Sequence, residues 1–255
     1  MLKEISNHLY YLENDEATNR PFLGYLRGNR FSMMLDAGNS PSHVALYMEA
    51  VREKGFEKPS FAGITHWHWD HSFGIASLDI PTIASQLTND QLRAMSAWKW
   101  DNPSMNARIG SGDEIAFSDM NIRNEYRSIG IDKIVVKPAD IGFEKVLTID
   151  LGGVRCECHH VGGPHSSDAS IFYIPEERFV FLGDSCGKDL YGLEWSFDPD
   201  HMENFGEILA NLPFDPKTLW PYIEYLQKME FDNCLVGHVG FFGKKALLDD
   251  LRLYI

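Results

Sequence analysis

The chain has 255 residues, 44% of them hydrophobic and 13% aromatic, and a formal net charge of −14. That is enough apolar side chain for a sizeable core, and it excludes a disordered chain. The negative balance works against binding a phosphate backbone or an anionic membrane surface, both of which require clustered Lys and Arg.

In chain order, short apolar runs predict strands at 9–12, 22–26, 31–35, 61–65, 146–149, 154–158, 170–174, 179–182 and 234–236. Apolar residues at helical spacing predict helices at 42–54, 89–99, 201–211, 216–228 and 244–253. The first of these follows Pro41 and puts Val44, Tyr47, Met48 and Val51 on one face. Strands alternating with helices indicate an α/β architecture, read here as a single domain over 1–255. The stretch 85–145 is long and polar and is broken by Gly110, Gly112 and Gly130, so it reads as an insertion or lid. Four cysteines, Cys156, Cys158, Cys186 and Cys234, form no C-x-x-C pair. Cys156 and Cys158 stand two apart and should share one face of a strand. With no apolar leader and no run long enough to cross a bilayer, the expectation is a cytoplasmic protein with reduced thiols.

Five of the apolar runs lead directly, or within a few residues, to a His or Asp: Asp36, His66, His165, Asp184 and His238. Loops at the carboxyl ends of strands can converge, and sites in α/β proteins gather there. Within six residues the segment His66-Trp-His68-Trp-Asp70-His71 supplies three imidazoles and a carboxylate. Those are the ligands borderline metals prefer. On a loop, His66 and His68 can point the same way and reach one ion, while Asp70 and His71 lie further on and suit a second. The remaining histidines His8, His43, His159, His160 and His201 have no such spacing and read as structural.

The segment 66–71 resembles the H-x-H-x-D-H signature of the metallo-β-lactamase superfamily. Gly163-Pro164-His165-Ser166, Gly183-Asp184-Ser185, Gly237-His238 and the early Asp36-Ala-Gly38 are similar to its other motifs, in the same order. The resemblance implies an αβ/βα four-layer sandwich, two mixed β-sheets with helices outside, with the metals at one edge between the sheets. It implies that His66, His68 and His165 bind a first metal, that Asp70, His71 and His238 bind a second, and that Asp184 bridges them. The cofactors would be two divalent ions, zinc first, with iron or manganese as alternatives. The activity implied is a metal-dependent hydrolase in which a metal-bound hydroxide attacks the carbonyl of a small-molecule thioester, ester or lactone. The catalytic residue would be Asp70, orienting the nucleophile or carrying its proton, with Asp36 accepting a hydrogen bond from a ligand His.

Lys188 is a candidate for binding a substrate carboxylate and Tyr191 for donating to an oxyanion. Gly187-Lys188 is similar to the Cys-Gly-Lys element of glyoxalase II, at a shorter spacing from Asp184. Trp67 and Trp69 either wall the site or pack beneath it. The alternatives are an iron-dependent oxidoreductase on the same fold, or a phosphodiesterase. The expected partner is a small molecule, with neither nucleic acid nor membrane, and oligomeric state stays open.

Overall fold

A computed structural model describes residues 1–191 and 209–254. Two mixed sheets lie face to face. The first has seven strands in the order β1 (Lys3–Glu4), β2 (Leu9–Leu12), β3 (Leu23–Arg27), β4 (Ser32–Leu35), β5 (Phe61–Gly63), β6 (Thr82–Ser85), β7 (Ile141–Phe143). Neighbours are antiparallel through β4 and parallel from β4 to β7. The second has six: β8 (Val146–Asp150), β9 (Arg155–His160), β10 (Ser170–Ile174), β11 (Phe179–Gly183), β12 (Asn233–Val236) and β13 (Gly240–Gly243). It is antiparallel except for the parallel pair β11 and β12. Each sheet thus starts as an antiparallel meander and turns parallel next to the site.

The central strands, such as β4 and β11, are apolar on both faces because both faces are covered. Along β4, Met33 and Leu35 enter the core between the sheets, while Met34 faces outward. Along β11, Phe179 and Phe181 point inward, and Val180 and Leu182 point outward. Cys156 and Cys158 share the inner face of β9, as their spacing predicts. The inner core joins Leu26, Met33 and Leu35 to Phe172, Phe181 and Leu235. Truncating a buried Phe such as Phe172 there would cost about 3–5 kcal/mol.

Helices complete the four layers. Helix α1 (Pro41–Glu53) starts at Ser40, whose hydroxyl accepts from the His43 amide, and Pro41 suits the first turn. It lays Tyr47, Ala50 and Val51 on the outer face of the first sheet. A single turn, α2 (Trp69–Ser72), follows β5. On the second sheet, α6 (Pro216–Lys228) and α7 (Lys244–Leu251) cover β10 to β12 with Leu219, Tyr222, Leu226 and Leu248.

Residues 85–145 begin at the end of β6 and include β7, so most of this segment is the crossover between two adjacent parallel strands. It carries α3 (Gln86–Met95), α4 (Asn102–Ser111) and α5 (Ala116–Glu125). The segment is polar in composition yet has a core of its own, where Leu92, Met95, Trp100, Met105 and Ile122 pack against Trp69 and Phe73. The helix expected at 89–99 starts earlier, at Gln86, because Ser85 caps it by accepting from the Thr88 amide. Strands β1, β6, β7 and β13 and helices α4 and α5 escape the sequence reading: they are short, or flat in hydrophobic pattern. Of the helix expected at 201–211, residues 201–208 lie outside the described residues.

Candidate metal centre

The five strand-end residues converge at one edge of the sandwich. Asp36 follows β4 and adopts a left-handed backbone (φ 62°), which turns its carboxylate back under the 66–71 loop. His66 comes two residues after Ile64, next to β5, and Asp70 and His71 sit in α2. His165 lies midway along the loop between β9 and β10, Asp184 follows β11, and His238 follows β12. Gly237 is required by closeness: a Cβ there would come within 2.1 Å of Asp184 Oδ1.

The side chains form two groups, each with ligand atoms within 4.8 Å of one another: His66, His68 and His165, and Asp70, His71, Asp184 and His238. His165 Nε2 lies 2.9 Å from His68 Nδ1. In the second group, His238 Nε2 is 2.9 Å from Asp70 Oδ2, and His71 Nε2 is 3.5 Å from the same oxygen. Asp184 Oδ2 touches both groups, at 3.4 Å from His71 Nε2, 3.5 Å from His238 Nε2 and 3.9 Å from His165 Nε2. With metal–ligand bonds of about 2.0–2.1 Å, the edge of a ligand tetrahedron is about 3.3 Å, so these spacings suit shared ions.

Each of three rings is aimed by its other nitrogen. His71 Nδ1 is 2.7 Å from Asp36 Oδ2, His66 Nδ1 is 3.0 Å from Thr65 Oγ1, and His165 Nδ1 is 2.9 Å from the Lys188 carbonyl. Asp36 is itself fixed by the Thr65 amide and hydroxyl, which donate to Oδ1 at 2.7 and 2.8 Å. The atoms left over are His66 Nε2, His71 Nε2 and Asp184 Oδ1, buried and without a hydrogen-bond partner among the described residues. Orphaned buried polar atoms are costly, and three of the eight among the described residues gather here, in the two groups, so the donor set fits metal ions.

Electrostatics agree. Burial, followed by the neighbouring His71, His68 and His165, holds His66 well below its ordinary pKa. Burial and His165 do the same to His68. Both rings are neutral at pH 7 and offer lone pairs. His71 goes the other way: burial pushes it down, but Asp184, Asp36 and Asp70 outweigh that and hold it well above its usual value. The buried Asp36 and Asp70 and the part-buried Asp184 therefore demand a positive charge, whether a proton on His71 or a metal.

Lys188 and Tyr191 reach the site differently from the sequence expectation. The Lys188 ammonium donates to the carbonyls of Leu209 and Ala210 at 2.7 and 3.0 Å, and the part of Lys188 that meets a ligand-type side chain is its own carbonyl. The Tyr191 hydroxyl donates to Glu114 Oε1 at 2.7 Å and lies 2.9 Å from Ser118 Oγ, so it is turned away from a reacting oxyanion. Its ring lies 4.9 Å from those of His68 and Trp67. Trp69, 2% exposed, lines the cavity over the centre and packs against Phe73, while Trp67 lines a neighbouring pocket that shares His68 and His165.

Three contributors carry no signal of spacing in the sequence. Asn19 donates to Asp70 Oδ2 at 3.2 Å. Asp168, buried, accepts from the Trp67 amide, the Thr88 hydroxyl and the Ser166 hydroxyl, tying both ligand loops to α3. Glu114 comes from the 85–145 segment, and burial raises its carboxyl to about 7 despite the Tyr191 and Ile115 hydrogen bonds.

A four-layer αβ/βα sandwich with His and Asp gathered at the strand ends between its sheets defines a class of metal-centred protein. The family model of the metallo-beta-lactamase superfamily matches residues 23–221, and the chain belongs to that superfamily, whose members are mostly metal-dependent hydrolases. Solved structures agree in fold. A metallo-beta-lactamase from Pontibacter korlensis superposes with a TM-score of 0.65 at 16% identity, covering 100% of this chain and 98% of the other. The DIM-1 metallo-beta-lactamase gives 0.62 at 17%, covering 100% and 95%. A metallo-beta-lactamase family protein from Thermus thermophilus gives 0.64 at 15%, covering 98% and 80%. No curated protein matches the sequence. Among the described residues no helix is long and apolar enough to cross a membrane.

Proposed function

We propose that the protein is a dinuclear zinc hydrolase that cleaves the carbonyl-centred bond of a small thioester, ester or lactone. The observation that carries this reading is the pair of ligand groups meeting at Asp184, with their orphaned nitrogens, at the floor of a cavity. On this reading His66, His68 and His165 would hold one ion, and Asp70, His71 and His238 the other, with Asp184 available to both. Such ions supply Lewis-acid activation of water and of a carbonyl oxygen.

The chain's own residues do the rest. Asp36 keeps the His71 ring turned so that Nε2 faces the centre, and the Lys188 carbonyl does the same for His165. Asp70 lines the cavity, and its Oδ2 is held by Asn19 and His238. It is the carboxylate we assign to taking a proton from the attacking water and returning it to the leaving group. Four buried cysteines, all unpaired, support a reducing compartment such as the cytoplasm.

The test is metal analysis of purified protein followed by a panel of thioester, ester, lactone and phosphodiester substrates. About two zinc equivalents and turnover of a carbonyl substrate are expected. Hydrolysis of bis(p-nitrophenyl) phosphate alone would sink the carbonyl reading, and one firmly bound iron with no hydrolysis would favour redox chemistry.

A further inference from the structure

The cavity above the centre measures about 460 Å³, and its walls differ from its floor. The floor is His68, Asp70, His165, Asp184 and His238. The walls are Ile115, Phe117, Leu190, Leu209, Val236 and Val239. Polar groups between them are turned on one another. Asn121 Nδ2 donates to the Phe117 carbonyl, Ser118 Oγ meets Tyr191 Oη, and Asn19 Nδ2 meets Asp70.

The charge inventory is one-sided. Among the described residues, Lys188 is the one Lys or Arg that lines the cavity, and its ammonium is bound to two backbone carbonyls, with the Phe214 and Tyr254 rings about it. Glu16 stands at the wall, and the whole chain carries −14. Any positive charge that bound metal brings sits at the floor, where the reacting carbonyl must lie. A carboxylate or phosphate further along the substrate would lose its water and meet no counter-charge.

We infer that the part of the substrate remote from the reacting bond is an uncharged apolar chain or ring, and that the cavity discriminates against anionic acyl groups. The inference rests on the carbonyl-hydrolase reading and names its substrate class. A hydrophobic wall rejects a charge far more strongly than it ranks one apolar group against another.

A matched set decides it. On the zinc-loaded full chain, p-nitrophenyl octanoate is compared with the mono-p-nitrophenyl ester of suberate, of equal length but with a terminal carboxylate. The methyl ester of the latter is the uncharged control. The octanoate should show kcat/KM about 100-fold above the suberate monoester, with the methylated control recovering most of the gap. Equal or better turnover of the charged ester overturns the inference. Binding gives a second readout: octanehydroxamate should bind about 100-fold more tightly than suberic monohydroxamate by calorimetry, and equal affinities overturn it. If neither ester is cleaved, the carbonyl reading fails, and the hydroxamate pair decides the cavity inference by itself.

Discussion

The two ligand groups lie side by side, yet they solve opposite problems. His66, His68 and His165 form an all-imidazole group, and burial keeps His66 and His68 neutral and ready to bind. Around His71 stand Asp36, Asp70 and Asp184, and the carboxylates hold that ring well above its ordinary pKa. The first group offers lone pairs and has little charge to balance; the second carries buried negative charge that must be balanced. Their supports differ too. Asp36 holds His71 of the second group directly and His66 of the first through Thr65, while Tyr191, held from behind by Glu114 of the 85–145 segment, backs His68 of the first group alone. One site can thus be built from a metal-ready half and a charge-balanced half.

The largest effect should come from the residue that touches both groups. Asp184→Asn is expected to lower kcat/KM by at least about 10⁴-fold, or about 5.5 kcal/mol, with loss of bound metal by elemental analysis. An activity near wild type would mean that the groups do not act together. Next, the contrast itself can be tested in chelator-treated protein by urea unfolding. His71→Ala leaves buried carboxylates uncompensated and should destabilise by about 3–5 kcal/mol. His66→Ala removes a neutral ring and should cost only about 1–2 kcal/mol. Equal losses would erase the distinction between the groups.

The support of the first group has a pH signature. Burial raises Glu114 from 4.5 to about 7, so the folded state binds its proton more tightly than the unfolded chain does. Its contribution is fully present below about 4.5 and is lost as pH rises through about 7. The size is roughly 3 kcal/mol. Glu114→Gln should flatten that part of the stability–pH curve while the amide keeps an acceptor for Tyr191; an unchanged curve would contradict a buried carboxyl there. A smaller effect belongs to Asp36, which braces the ligand rings from behind. Asp36→Asn should weaken metal binding by about 10–100-fold, read by competition with a chelating dye; unchanged affinity would mean that Asp36 does not orient the ligand rings.

Much of the centre is legible in the sequence, because its information is local. The spacing in 66–71 puts four donors on one loop, and strand-end runs point to His165, Asp184, His238 and Asp36. All of these come together in space. Lys188 and Tyr191 show the limit. Their proximity is readable from their place after Asp184, but the direction of the ammonium and the hydroxyl depends on Leu209, Ala210 and Glu114, far away in the chain. Asp168 and Asn19 are invisible for the same reason: an isolated polar residue has no period. The 85–145 stretch looks polar because its apolar residues are spread over three short helices, and only their packing on Trp69 and Phe73 shows them to be core.

By itself, the sequence determined the α/β class, the inner and outer faces of the main strands and the identity of the metal-type donors. Hydrophobic alternation and ligand spacing are properties of neighbouring residues, and neighbours are what a chain records. Tertiary structure alone decided how closely the seven donors approach, which rings are neutral or charged, and that the cavity walls are apolar and without an available cation among the described residues. Those properties come from burial and from side chains that meet across tens to hundreds of sequence positions, such as His238 and Asp70.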